Sequence, residues 1–380
     1  MTPPGPGPAR GAPSDAPPGS PGGAVLSGRP GPPRPGVALG AEVPYNGCMS
    51  ELAKRLAAKL LWIVVVFLGI TVISFAVIHL APGSPTDMQT TLNPEATAEA
   101  RTRLEALYGL DRPLHEQYAD WLSRLARLDF GRSMSSDHRP VWDKIVERLP
   151  LTFGMNVASL VLTLMIAVPI GIASAWWQGR AFDRAATVLV FIGFAMPGFW
   201  LALLLMYALC IHWPLLPISG LTSYGFEQMG FWERLADLAR HLTLPLFVYT
   251  FGSLAGMSRF MRASMLEVLR QDYILTARAK GLPLRTVIFR HALRNALLPV
   301  ITILGLSVPG LIGGSVIIES IFALPGLGQL FYQGVMARDY PLIMGNLVLG
   351  ALLTLAGNLL ADVAYGLADP RIRAARGGGR

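Results

Sequence analysis

Charge is what this sequence has least of. Only 15% of its 380 residues are Asp, Glu, Lys or Arg, against about 25% in soluble domains. Polar surface keeps a globule of this size in water, so a cytosolic enzyme and a disordered hub are both disfavoured. Cysteine is scarcer still. Cys48 and Cys210 stand far apart with no C-x-x-C pair, which excludes a disulfide scaffold and a zinc ribbon. The six histidines, at 79, 115, 138, 212, 241 and 291, form no H-x-x-x-H or H-E-x-x-H pair, so no metal site is expected. Of the four lysines (Lys54, Lys59, Lys144, Lys280), none is preceded by Gly and followed by Ser or Thr. A phosphate-cradling loop is therefore missing, and ATP is not hydrolysed by this polypeptide.

Apolar residues take the place of charge, at 52% of the chain and a mean hydropathy of +0.45. Residues 60–80 carry no ionisable group except His79. At ~1.5 Å rise per residue they extend about 31 Å, one bilayer core. Five more stretches lack Asp, Glu, Lys and Arg: 151–178, 185–213, 242–258, 295–318 and 341–361, the fourth span (242–258) being the shortest. These are continuous runs without alternation, which excludes a β-barrel. The expectation is an all-α integral membrane protein with six transmembrane helices. Basic residues concentrate on one side: segment 258–295 holds eight against two acidic, whereas 81–150, 213–241 and 319–340 are on balance acidic. The positive-inside rule then puts both termini in the cytoplasm. It also accounts for the net charge of +8 as a topology signal, so no nucleic-acid partner is expected.

Three segments fall outside this core. Residues 1–47 hold 13 Pro and 11 Gly without apolar periodicity, and 1–48 is expected to be a disordered tail. Met49 opens a basic amphipathic start that runs into the first apolar segment, which suggests it as the true initiator, with a membrane domain over 49–373. Residues 374–380 form a flexible basic end. Two loops are too long to be simple connections. The external 81–150 loop has helical periodicity, at Leu104, Leu107 and Tyr108, then Tyr118, Trp121, Leu122 and Leu125. It reads either as a folded cap over the external mouth or as a contact for an external partner.

The spans offer little chemistry. His79, His212 and His241 sit at helix ends, and Glu319 and Asp362 flank spans. A proton-coupled carrier needs an ionisable group inside the bundle, so that class is disfavoured. An intramembrane protease would need a facing Ser and His at mid-depth, and no span supplies that pair. The breakers Pro169, Pro197, Pro245, Pro299, Pro309, Gly310 and Gly314 are compatible with ordinary packing. They are equally compatible with a bundle that rocks between two shapes. Pro197, Phe199, Trp200, Pro309, Gly310 and Gly314 are the candidate path-lining or hinge residues, with Phe194 and Tyr207 as further aromatic lining. A driven transporter with neither ion relay nor nucleotide site takes its energy from a partner. On the cytoplasmic face only 258–295 is large enough to receive one. Read as one helix, 259–280 puts Leu266, Leu269 and Tyr273 on a stripe and ends at Gly281, with Pro283 opening a second segment.

The stretch from Asp272 through Thr276-Ala277-Arg278-Ala279-Lys280 to Gly281 resembles the EAA loop of ATP-binding-cassette importer permeases. The continuation Arg290-His291-Ala292-Leu293-Arg294-Asn295, with Leu298-Pro299, resembles the dipeptide/oligopeptide/nickel branch, first permease subunit type. Other signatures agree: His79-Leu80-Ala81-Pro82-Gly83, Gly109-Leu110-Asp111-Arg112-Pro113 and Asp129-Phe130-Gly131-Arg132-Ser133; then Leu324-Pro325-Gly326-Leu327-Gly328, Arg338-Asp339-Tyr340-Pro341 and Asp369-Pro370-Arg371-Ile372-Arg373. The EAA match is partial, since Leu275 stands where the glutamate belongs and Thr276 where the first alanine does. The resemblance implies a permease subunit of the bacterial cytoplasmic (inner) membrane that carries peptides, or else a nickel chelate or glutathione. It implies a second, similar permease, two ATPase subunits that hold ATP and magnesium, and an extracytoplasmic binding protein. It further implies that Asp272, Thr276, Ala277, Arg278, Lys280 and Gly281 form the ATPase-coupling loop, and that this chain itself has no catalytic residue, cofactor or metal.

Overall fold

A computed structural model describes residues 45–81, 102, 103, 106, 109–311 and 313–368, all of them in helices, turns and loops. Two units are distinguished, Met1–Leu56 and Ala57–Arg380; of the first, only the helical residues from Tyr45 onward are described. Most of the expected disordered tail, with Leu104, Leu107, Tyr108, the motif at 369–373 and the basic end, lies outside the described residues.

The first helix, α1 (Tyr45–Leu80), already begins within the stretch expected to be unstructured. It is followed by α2 (Leu114–Leu125) and α3 (Val141–Trp176). Helix α3 starts well before the apolar run at 151. Val141 and Ile145, one turn apart, are fully buried, and Asp143, Lys144, Glu147 and Arg148 take the other faces of the same turns. Next come α4 (Ala181–Ala195) and α5 (Gly198–Met206), the latter continuing as a π turn over Tyr207–His212. The 185–213 run, expected as one span, is thus broken. Pro197 has no N–H to carry the ladder onward, and the two halves meet at 98°.

Helix α6 (Phe231–Leu269) is the longest element and extends the 242–258 run at both ends. It then stops. Arg270 and Gln271 leave the helix, so 259–280 is not one helix but the end of α6 and a separate α7 (Asp272–Ala279). Leu284–Ala296 forms α8, with a π turn at Val287–Ala292, and α9 (Leu298–Ser307) follows at a 42° bend. The chain tightens to a 3-10 turn at Val308–Leu311 and runs extended through Gly313 and Gly314. It re-enters helix as α10 (Val316–Ile321), α11 (Leu327–Ala337) and α12 (Tyr340–Ala368). By length and composition Ala57–Leu80, Val141–Trp176 and Tyr340–Leu360 can each cross a membrane, and the two bent pairs bring the count to at most five. The 242–258 segment is not among them.

The core is a seam between α3 and α6. On α3, Ser159, Thr163, Ala167, Gly171 and Ser174 recur at helical spacing and are buried. Opposite them on α6 lie Val248, Ala255, Ser258, Met261 and Met265. Small residues let helix backbones approach closely where lipid provides no hydrophobic drive. At Gly171 the approach is limiting, since a Cβ there would lie 2.6 Å from Met261 Cβ and 2.9 Å from the Ser258 carbonyl oxygen. Gly171→Val should therefore force the pair apart and destabilise the protein by about 1–3 kcal/mol, the usual cost of overpacking. Gly69→Val, at a site with nothing within 4 Å, should leave stability unchanged. Melting of the purified protein in detergent checks both.

Candidate coupling element and passage

Helix α7 is a short knob with an inner and an outer face. Ile274 (fully buried) and Ala277 point inward, into a cluster with Met261, Met265, Val287, Ile288 and Ala292. Asp272 in the first turn and Arg278 in the last have the signs that the helix dipole favours. Arg278 stands over the Trp176 ring at 5.9 Å, and Asn295 donates to the Tyr273 hydroxyl at 2.8 Å, so α7 is tied to the ends of α3 and α8. Its end is a Schellman motif. The Gly281 amide donates to the Arg278 carbonyl at 2.9 Å and the Leu282 amide to the Ala277 carbonyl at 3.4 Å. Gly281 has φ of +74° while a Cβ there would meet nothing, so the glycine is required by conformation and not by space. Asp272, Thr276, Arg278, Lys280 and Gly281 are all exposed, together with Leu275, Leu282 and Phe289. Ala277 is not; its small side chain serves packing within the chain.

The breaks treat the candidate path residues differently. Pro197 opens α5, with Phe199 and Trp200 each about half exposed just beyond it. Gly310 lies in the 3-10 turn and Gly314 in extended chain, so the GxxxG spacing does not form one helix face. Pro309 is in that turn, and its side chain lies outside the described residues.

Unwound backbone at membrane depth must find its hydrogen bonds within the protein, and here polar side chains supply them. Asn156 on α3 donates to the Leu311 carbonyl at 3.1 Å and the Gly313 carbonyl at 2.9 Å. The Tyr249 hydroxyl accepts from the Ser315 amide, and Ser315 Oγ caps α10 by accepting from the Ile318 amide at 3.2 Å. Glu319, only 3% exposed, accepts from the Gln329 amide at 3.0 Å and from Thr152 Oγ1 at 3.3 Å. Thr152 Oγ1 in turn accepts from the Leu327 amide at 2.8 Å. The first turn of α11 is thus capped by a carboxylate and a hydroxyl from other elements. Gly314, Gly326 and Gly328 crowd this group so tightly that none has room for a Cβ. From sequence, Glu319 reads as a residue flanking a span and Thr152 and Asn156 as isolated polar residues in an apolar run. The signal available in the sequence is the spacing of four between Thr152 and Asn156, which puts both on one helix face.

Two of the quoted motifs meet at the opposite end from α7. Asp339 is 1% exposed, caps α12 through the Leu342 amide, and accepts from Ser135 at 3.1 Å and from Ser133. Lys144 donates to Ser133 at 2.8 Å and to Asp137 at 2.7 Å, and this last bond holds the Asp137 carboxyl below its ordinary value. Tyr118 and Trp121 of α2 pack against α1 and α12, with the Tyr118 hydroxyl 2.9 Å from Thr71 Oγ1. No group of His, Cys, Asp and Glu among the described residues could hold a metal ion.

The sequence that builds this geometry belongs to a known class. Residues 167–374 match the family described as binding-protein-dependent transport system inner membrane component, and 52–156 match the N-terminal component of the same systems. The chain belongs to that family. It is 42% identical over 321 residues to the oligopeptide transport system permease protein AppB of Bacillus subtilis, covering 84% of this chain and 99% of that one. The dipeptide permease DppB of Escherichia coli K12 is 37% identical, covering 81% and 95%. The di/tripeptide permease DppB of Pseudomonas aeruginosa is 36% identical, covering 86% and 99%.

The buried carboxylate yields a test. Glu319→Ala leaves the Gln329 amide and Thr152 hydroxyl without their acceptor, at about 1–3 kcal/mol per group. The variant should melt earlier in detergent and be cleaved faster by protease between residues 313 and 328. Glu319→Gln, which keeps an acceptor oxygen, should recover part of the loss. Unchanged melting in Glu319→Ala would contradict this role.

Proposed function

We propose that this chain is a permease subunit of an ATP-driven importer that carries short peptides across the cytoplasmic membrane. It crosses the bilayer six times, the fourth span being the 242–258 part of α6, with both termini inside. Three relatives named for oligopeptide, dipeptide and di/tripeptide transport align over nearly their whole lengths, which supports peptides over a nickel chelate or glutathione. The partners in this reading are a second, similar permease, two ATPase subunits that bind ATP and magnesium, and an extracytoplasmic binding protein. The cytoplasmic placement of 258–295 follows from its arginines.

The observation that carries the mechanism is the two-faced α7. A helix of eight residues is too short to hold itself together in water. Here it is held by the buried Ile274 and Ala277 and by the Gly281 cap, while Leu275, Thr276 and Lys280 remain outside for a partner. Closure of the ATPase pair would push on this knob. Because α7 is fixed to the ends of α3 and α8, the push would pass to the bundle as a rocking motion about the breaks at Pro197 and Val308–Leu311. No proton relay is used.

In the assembled importer, Gly281→Asp should abolish peptide uptake and the stimulation of ATPase activity by substrate. An L-residue at a positive φ costs about 1–2 kcal/mol, and the new carboxylate adds charge at the exposed tip. Membrane insertion and the basal ATPase rate of the partners should be retained, as judged by membrane fractionation and phosphate release. Undiminished uptake in that variant would refute the coupling role.

A further inference from the structure

Between α3, α4 and α6, at the end where α7 lies, is an open cavity of about 230 Å³. Its lining is mainly apolar, with Ile170, Val190, Phe191 and Phe194 and three hydroxyl side chains among them, and its mouth carries Arg259 and Arg262. The two arginines differ. Arg262 is committed to Asp183 through two hydrogen bonds, Nε to Oδ1 at 2.7 Å and Nη2 to Oδ2 at 2.9 Å. Asp183 is itself buried and accepts from the Gly179 amide at 2.9 Å, so this pair is a fixed wall of the mouth. Arg259 is exposed and has no hydrogen-bond or ion-pair partner among the described residues.

Helix α4 leads away from this mouth with an apolar exterior. Leu189 is 65% and Phe194 81% exposed, and Val188, Phe191 and Ile192 are exposed as well. A surface of that kind in a membrane protein is solvated by acyl chains, whereas a path for hydrated cargo would carry polar groups along it. An unpaired guanidinium at the end of an apolar groove matches an amphiphile whose head is anionic. The planar guanidinium binds phosphate by paired hydrogen bonds, and basic pockets between membrane helices recognise anionic headgroups.

We propose that this cavity is a binding site for an anionic phospholipid, with the phosphate on Arg259 and the start of one acyl chain along Val190, Phe191 and Phe194. The site stands on membrane embedding alone and not on the cargo or the direction of transport. Its position explains why it matters: the lipid would bridge α4 and α6 beside the Asp183–Arg262 pair, one short step in the chain before α7.

Native mass spectrometry of the full chain, in the complex in which it purifies, tests this with dioleoyl phosphatidylglycerol and dioleoyl phosphatidylcholine as probes. The expected result is one phosphatidylglycerol retained per chain, preferred over phosphatidylcholine by about tenfold, because the fixed choline cation offsets the phosphate charge beside the two arginines. Arg259→Gln should abolish the preference. Arg285→Gln, which removes an exposed arginine outside the cavity, should not. Thr187→Trp, which fills the cavity and leaves Arg259 in place, should also lose the lipid. Millimolar inorganic phosphate should fail to displace it, because the acyl chain contributes. Equal retention of both lipids, or equal loss in Arg259→Gln and Arg285→Gln, would overturn the proposal. So would a Thr187→Cys that crosslinks to a neighbouring protein subunit, since the cavity would then be covered by protein.

Discussion

The close fit of α3 against α6 is the constraint on which the other placements depend. Acyl chains are as apolar as leucine, so helices in a bilayer adhere by shape and by a few polar contacts. The repeated small residues of α3 from Ser159 to Ser174 satisfy that requirement, and Gly171 marks the closest point. Once the pair is fixed, α3 serves both ends. Asn156 reaches the unwound segment before α10, Thr152 reaches the first turn of α11, and Trp176 receives Arg278 of α7. One continuous helix therefore touches both the break before α10 and the knob at the opposite end.

Four polar residues around the break serve the backbone. Asn156 and Tyr249 bond main-chain groups of the break before α10, and Glu319 and Thr152 bond amides in the first turn of α11. A membrane segment built this way can be unwound locally without exposing amides to lipid. Asp339 does the same for the start of α12 while holding Ser133 and Ser135. The two networks bring distant parts of the chain together: Thr152 and Glu319 cap the first turn of α11, and Asp339 caps α12 while accepting from Ser133 and Ser135.

Much of this was legible beforehand. Long apolar runs without charge located α1, α3 and α12, and Gly281 was placed correctly as a helix stop because a left-handed cap leaves a recognisable glycine. Other features were hidden for physical reasons. Hydropathy averages over side chains and cannot register a bend, so the 98° turn at Pro197 lies hidden within one apolar run. Charges on the outer face of an amphipathic turn look like loop, which obscured the start of α3 at Val141 and the polar first turns of α6. The break at Arg270 and Gln271 has neither Gly nor Pro to announce it. Burial of Glu319 and Asp183 depends on partners far away in sequence, Thr152 and Arg262, and no local pattern reports such a pairing.

The central claim is that the passage is driven from the cytoplasmic side by nucleotide hydrolysis on other subunits, through α7. Its most direct test is the sidedness of that helix. In a Cys48→Ser, Cys210→Ser background, Thr276→Cys on the exposed face of α7 would be treated with a membrane-impermeant maleimide. Labelling is predicted in inside-out vesicles and not in intact spheroplasts. Labelling from the outside of intact spheroplasts would contradict the account.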